Sequence, residues 1–277
     1  MDELEAIQKR LSVRSYDSRP LSDSVRSELD GFCTSVSSGP FGNTVRFQLL
    51  DLKPLSQDDL RRLGTYGVIK GAHLYLLGAV REGSEKFEDF GYCMEKIILK
   101  ATALGLGTCW LAGTFKRSAF ASKMGLAKDE LLPAIAPIGY PAKELSTMDR
   151  VFQYGANSKK RKPWSELFFE ENGITPLAEE DAGDYREALD AVRIGPSASN
   201  RQPWRILKDK NGIFHLYLRE NKIYNRILGK IRIQNIDMGI AMCHFEIAAR
   251  KYGRSGRWKK YSLAPEIPGL QYIAAHV

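Results

Sequence analysis

An α+β fold made of two related halves is what this sequence predicts, and three observations carry that reading. Short apolar runs of strand character are mixed with helical patterns, without the regular βαβ order of a parallel-sheet protein. Pro20, Leu21, Gly39 and Pro40 return as Pro176, Leu177, Gly195 and Pro196, each offset by 156 positions. Asp89, Gly91, Met94, Ala101, Gly105 and Trp110 return as Asp237, Gly239, Met242, Ala249, Gly253 and Trp258, each offset by 148. The second copy thus has eight fewer residues between its two blocks. A duplication of this kind lets one polypeptide mimic a two-fold dimer. It divides the chain into a first half over 1–150, a connector over 151–175 and a shorter second half over 176–277.

The elements follow in order. Asp2 and Glu5 form a capping box for a short helix ending near Arg10. Ser22 caps a second helix running to about Val36, stopped by Ser37-Ser38-Gly39-Pro40. Val45–Leu52 and Ala72–Val80 read as strands. From Asp89 to Leu104, apolar residues recur at three- and four-residue steps, and Gly105 suits a left-handed C-cap. Leu132–Ile138 reads as a buried strand. In the second half the spacing predicts a helix over Glu179–Val192, strands at Trp204–Leu207 and Ile213–Leu218, a helix over Ile236–Ala249 and a last strand at Tyr272–Val277.

Composition narrows the classes. With 277 residues, 43% hydrophobic and 27% charged, the chain is long enough for a sizeable core and reads as a soluble globular protein. Its apolar runs are too short for a membrane span. Its acidic start lacks the features of a signal peptide, so a cytoplasmic location is expected. Cys33, Cys93, Cys109 and Cys243 have no CxxC spacing and read as buried, reduced thiols. The net charge of +8 suits a solvated basic surface, or a ligand bearing phosphate. No nucleic-acid motif accompanies it. The four histidines are scattered, without ligand spacing, so no metal is expected.

The two halves differ in their polar equipment. The first carries Lys9-Arg10-Leu11-Ser12-Val13-Arg14, in which residues 10, 12 and 14 share a face of an extended segment. Two guanidiniums and a hydroxyl could grip a phosphate, and the same residues would also suit an ordinary basic helix end. The second half carries Pro196-Ser197-Ala198-Ser199-Asn200-Arg201-Gln202-Pro203-Trp204. Its carboxamides suit a ring edge offering both donor and acceptor, and they suit a turn with Asn200 left-handed equally well. The first-half counterpart of this loop, Gly39–Asn43, lacks the Ser and Gln residues. Gly105–Gly113 has the wrong glycine spacing for a dinucleotide fingerprint, but small residues there let backbone approach a flat ligand.

In this order the segments resemble the nitroreductase family of FMN-dependent oxidoreductases, over most of the chain, and most closely a fused, single-chain branch. The resemblance implies that Arg10, Ser12 and Arg14 hold the phosphate and ribityl end. It implies that Pro196, Ser197, Ala198, Asn200 and Gln202 close over the ring from the other half. Trp110, Leu111, Ala112 and Gly113 would lie on the flavin, and Lys159 and Arg161 would reach the phosphate. Tyr66 stands in Gly64-Thr65-Tyr66-Gly67, where the family has an Asn/Lys-bearing segment.

The implied activity is reduction of nitroaromatic or quinone-type acceptors with NAD(P)H as reductant, by ping-pong hydride transfer on the flavin and with no catalytic side chain. Because the grip and the loop each occur once, one FMN per chain is expected. A monomer is expected where ordinary members are dimers, with a small-molecule acceptor and neither nucleic acid nor membrane as partner. Two alternatives stay open: a flavin-binding protein for storage or sensing, and a basic binding module without flavin.

Overall fold

The computed structural model describes residues 1–53, 63–64, 69–143, 160–221 and 229–277. Helix α1 (Glu3–Lys9) starts where Asp2 Oδ1 accepts the Glu5 N–H at 2.9 Å, while Glu5 itself pairs forward with Lys9 at 2.7 Å. Helix α2 (Asp23–Ser35) is capped by Ser22, whose Oγ accepts the Val25 N–H at 3.4 Å. Between them the chain runs extended: Ser12 bridges Thr108, and the Val13 N–H donates to Thr108 O at 2.8 Å.

The first sheet holds β1 (Val45–Asp51), β2 (Leu74–Arg81), β3 (Gly107–Thr108), β4 (Glu130–Leu131) and β5 (Ile135–Gly139). Its order is β1-β2-β5-β3, with β4 paired to the far end of β2, and every pairing is antiparallel. Strand β2 is buried on both faces. Leu76 and Val80 join the main core, whereas Tyr75, Leu77 and Ala79 pack with Phe120 of helix α4 (Arg117–Met124) in a smaller one.

The second sheet runs β6-β7-β8-β10-β9, from β6 (Phe168–Glu170), β7 (Trp204–Lys208), β8 (Phe214–Leu218), β9 (Trp258–Lys259) and β10 (Gln271–His276). Only its β6–β7 pairing is parallel. The part of the connector that is described therefore supplies a 3-10 turn at Trp164–Glu166 and an edge strand.

Two long helices lie between the sheets. Helix α3 (Lys86–Ala103) packs on β1 and β2, α6 (Ile233–Lys251) packs on β7 and β8, and the two helices pack on each other. Each starts three residues before the point set by its apolar repeat, and each is buried almost all round, as a helix between two layers must be. Helix α3 ends as expected. Gly105 is left-handed (φ 78°), its N–H donates to Thr102 O, and the Leu106 N–H donates to Ala101 O, both at 2.9 Å.

The expected helix over Glu179–Val192 is corrected. Gly183 adopts φ 56°, ψ −135°, which breaks the run into a 3-10 turn over Glu180–Tyr185 and helix α5 (Arg186–Arg193). All four cysteines are buried free thiols. Among the described residues no helix is long and apolar enough to cross a membrane.

Candidate functional site

The chain leaves α1 in an extended conformation at Arg10 (φ −60°, ψ 125°), which turns this side chain inward. Arg10 is 8% exposed, while its neighbour Leu11 is 67% exposed, the alternation expected of extended backbone. Arg10 Nε lies 3.9 Å from Glu95 Oε1, and among the described residues its buried Nη1 has no hydrogen-bond partner. A buried guanidinium with an unmatched donor favours an anion beside it.

Ser12 and Arg14 continue along the first sheet. Ser12 pairs with Thr108, and Arg14 O accepts the Lys70 N–H at 2.8 Å. The buried Thr108 Oγ1 beside them also lacks a partner among the described residues. Gly107 makes this neighbourhood possible, since a Cβ there would sit 2.7 Å from Val13 Cγ2. Downstream, Trp110 Nε1 donates to Glu95 Oε2 at 2.8 Å, Leu111 bridges Ile135, and Ala112 O accepts from Arg117 Nη2 at 2.7 Å. Gly113 is exposed.

The loop 196–204 closes on itself. Ser197 Oγ accepts the Gln202 N–H at 2.8 Å, and the Asn200 N–H donates to Ser197 O at 2.9 Å. From below, Asp237 Oδ1 accepts the Ala198 N–H at 3.0 Å. Three non-glycine residues are held left-handed, Ser199 (φ 47°), Asn200 (φ 54°) and Gln202 (φ 50°), a concentration of strain that surrounding bonds must maintain. The left-handed Asn200 is the conformation foreseen in the turn reading of this loop.

The carboxamides are engaged with the connector. Asn200 Nδ2 donates to Lys160 O at 2.8 Å, and Gln202 Oε1 accepts the Lys162 N–H at 2.8 Å. Arg161 Nη1 donates to Asn200 Oδ1 at 3.1 Å and its Nη2 to Ile194 O at 3.0 Å. Gln202 is almost wholly buried, and its amide is paired with the extended backbone within reach. The loop therefore fastens Arg161. Burial, then the charges of Arg10 and Arg193, push the Arg161 guanidinium below its ordinary value. Pro196 is half-buried at the loop's start. Tyr66 and Lys159 lie outside the described residues.

Sequence reasoning missed two residues at the centre of this junction. Glu95 on α3 and His244 on α6 are fully buried and meet at 2.9 Å, Nε2 to Oε1, while His244 Nδ1 lies 2.9 Å from Ala191 O. Burial pushes Glu95 up, but the His244 hydrogen bond and charge, the Arg10 charge and the Trp110 hydrogen bond outweigh it and hold the carboxyl below its usual range. The available signal was Glu95 standing one turn after Gly91 and one before Ile98, an acid inside an apolar stripe.

The comparisons with known proteins agree with this architecture. The family described as Putative TM nitroreductase matches residues 2–249. A putative nitroreductase from Thermotoga maritima MSB8 is similar over 100% of this chain and 92% of its own, with a TM-score of 0.62 at 19% identity, which shows a shared fold. A nitroreductase family protein from Clostridium difficile 630 covers 60% of this chain and 96% of its own (19% identity, TM-score 0.44). A nitroreductase with bound FMN from Bacteroides fragilis NCTC 9343 covers 53% and 91% (19% identity, TM-score 0.41). No functionally curated protein matches the chain. With nearly nine-tenths of its length matched, this chain belongs to the family described as Putative TM nitroreductase.

Proposed function

We propose that this chain is an FMN-dependent oxidoreductase that reduces nitroaromatic or quinone-type acceptors with NAD(P)H, holding one FMN at the junction of two duplicated halves. The observation that carries the reading is the buried Arg10, whose Nη1 lacks a partner among the described residues and which is linked through Glu95 and His244 to the Ala191–Ile194 turn where Arg161 docks. A phosphate of charge about −2 fits that chemistry. Thr108 Oγ1, next to Ser12 and without a partner among the described residues, offers a further polar contact.

The duplication draws support from reciprocal details. Asp89 Oδ1 accepts the Phe41 N–H at 2.8 Å, as Asp237 Oδ1 accepts the Ala198 N–H, so equivalent carboxylates tie down equivalent loops. The loops are not equivalent in content. Asn43 fills the first with its own amide, 2.8 Å from Asp89 Oδ2, and among the described residues that half brings no counterpart of the Asn200–Arg161 contact. These differences support one site per chain.

The chemistry FMN supplies when bound is reversible two-electron transfer. The protein's part is binding and orientation. Arg10, Arg14 and Arg161 offset phosphate charge, with Lys159 as a further candidate. Ser12 and Thr108 offer hydroxyls, and Trp110 to Gly113 would hold the ring. Pro196, Ser197 and Ala198 form the loop's rim, while Asn200 and Gln202 act by holding Arg161 in place. Tyr66 stays a candidate ring contact. The sequence carries no dinucleotide fingerprint, so a nicotinamide reductant and the acceptor would use the same site in turn, a ping-pong order.

The test is the flavin content of undialysed protein per chain, followed by steady-state oxidation of NADH and of NADPH with a quinone acceptor. One FMN per chain with turnover supports the proposal. Two per chain would overturn the single-site claim. Bound FMN without turnover would favour a storage or sensing protein, and protein that refuses added FMN would leave a basic binding module.

A further inference from the structure

Glu95 is a buried carboxylate that meets two of the segments expected to hold the cofactor directly, and approaches a third through His244. Its Oε2 takes the Trp110 indole at 2.8 Å, and Oε1 faces Arg10 Nε at 3.9 Å. The same Oε1 meets His244, whose ring lies under the base of the 196–204 loop: a Cβ on Gly195 would be 3.5 Å from His244 Nδ1. The carboxylate comes from α3 and the imidazole from α6, so the contact crosses between the halves. It occurs once. In the 148-residue register the counterparts of Glu95 and His244 are Cys243 and Lys96, which cannot form such a pair.

Hydrogen-bond chemistry defines the state of the pair. His244 Nδ1 faces a carbonyl oxygen, which only accepts, so Nδ1 carries a hydrogen. Nε2 faces a carboxylate oxygen, so one further proton lies between ring and carboxyl. Together the pair is neutral overall, and Arg10 keeps its positive charge for another anion. A carboxylate held on two sides fixes the direction of the third group it meets, which is the guanidinium.

We infer that Glu95, clamped by His244, is the positioning residue that aims Arg10 at the phosphate of the bound flavin and couples that aim to the Trp110 segment. The inference rests on the proposed FMN site. It assigns no proton transfer or catalytic step to either residue; both act through Arg10 and Trp110.

The experiment is binding of FMN and of riboflavin to flavin-free protein, followed by fluorescence quenching, and its readout is the ratio of the two affinities. Arg10→Gln should lower the ratio about a hundredfold by removing the grip, and Glu95→Gln about tenfold by releasing its aim. Glu95→Gln keeps the side chain's length and one acceptor oxygen while removing the carboxylate that fixes the guanidinium's direction. The double variant should be no worse than Arg10→Gln alone, because the two residues act in series. His244→Asn keeps a donor near Ala191 O and should lower the ratio as Glu95→Gln does. His244→Gln restores a donor toward Glu95 and should recover most of it, which keeps the test open if Glu95→Gln is insoluble.

An equal loss of FMN and riboflavin affinity in the Glu95 and His244 variants would overturn the inference and mark the pair as packing alone. A normal ratio in Arg10→Gln would instead overturn the phosphate grip, and the positioning role with it. Wild-type protein that binds neither flavin would overturn the FMN site itself.

Discussion

Gly91 and Gly239 occupy matching places on the two central helices, and each lies against the backbone of the other helix. A Cβ on Gly91 would overlap the Ile236 carbonyl oxygen, and one on Gly239 would overlap the Glu88 carbonyl oxygen and crowd the Tyr92 nitrogen. Both obstructions are backbone atoms, which cannot swing aside. Gly91→Ala and Gly239→Ala should each destabilise the fold by about 2–3 kcal/mol, read as a drop in the denaturant midpoint. Gly31→Ala, on α2 with open space around it, should be neutral or stabilise by up to about 1 kcal/mol. Equal effects at all three positions would refute the close crossing.

Asp89 and Asp237 also match in place but not in satisfaction. Asp89 accepts from Phe41 N at 2.8 Å, from Asn43 N at 2.9 Å and from Asn43 Nδ2 at 2.8 Å. Asp237 accepts from Ala198 N, and among the described residues its buried Oδ2 has no partner. Burial raises both carboxyls, Asp237 well above the ordinary 3.8. As pH rises above 3.8 the unfolded Asp237 ionises before the folded one, so this group removes stability until its folded value is passed. Asp237→Asn should therefore hold or raise stability at pH 7. Asp89→Asn, which turns an amide N–H₂ toward N–H donors, should cost about 1–3 kcal/mol. Chemical denaturation of both at pH 5 and 7 checks the contrast.

His276 sets an acid limit. Its ring is buried among Tyr185, Phe245 and Trp258, and burial lowers it from 6.5 to about 4. The unfolded chain takes up this proton first, so stability is lost as pH falls from 6.5 toward 4. Between pH 7 and pH 4 the wild type should lose about 3 kcal/mol more than His276→Gln. Parallel losses in the two proteins would show that His276 is not the group responsible.

Strain in the 196–204 loop can be relieved at one point. Ser199 is exposed and left-handed. Ser199→Gly should stabilise by about 0.5–1 kcal/mol, visible as a higher Tm without change in the fold. A loss of stability would mean that the serine holds a contact worth more than its strain.

The helices were legible because their information is local. Asp2 and Ser22 announced two N-termini, Gly105 announced a C-terminus, and the apolar steps of α3 survive in the structure almost residue for residue. Short strands such as Gly107–Thr108 and Glu130–Leu131 were illegible, since two residues carry no period and the pairing partner is distant in the chain. The break at Gly183 was missed because a glycine inside a helical pattern declares its torsion only when folded. At the site, Arg10, Arg161 and the 196–204 loop were visible by type. The direction of the Asn200 and Gln202 amides was not, because a buried amide turns to whichever partner the fold brings near.

By itself, the sequence determined what repeats and what does not: two helices with matched glycines and aspartates, one arginine segment, one polar loop. Those are properties of residue type and spacing, which a linear chain records. Only the tertiary structure decided that Glu95 and His244, 149 residues apart, meet at 2.9 Å beside Arg10 and Trp110. Burying a charge is tolerable only beside a partner, and which partner is settled by how two helices cross rather than by any pattern along either one.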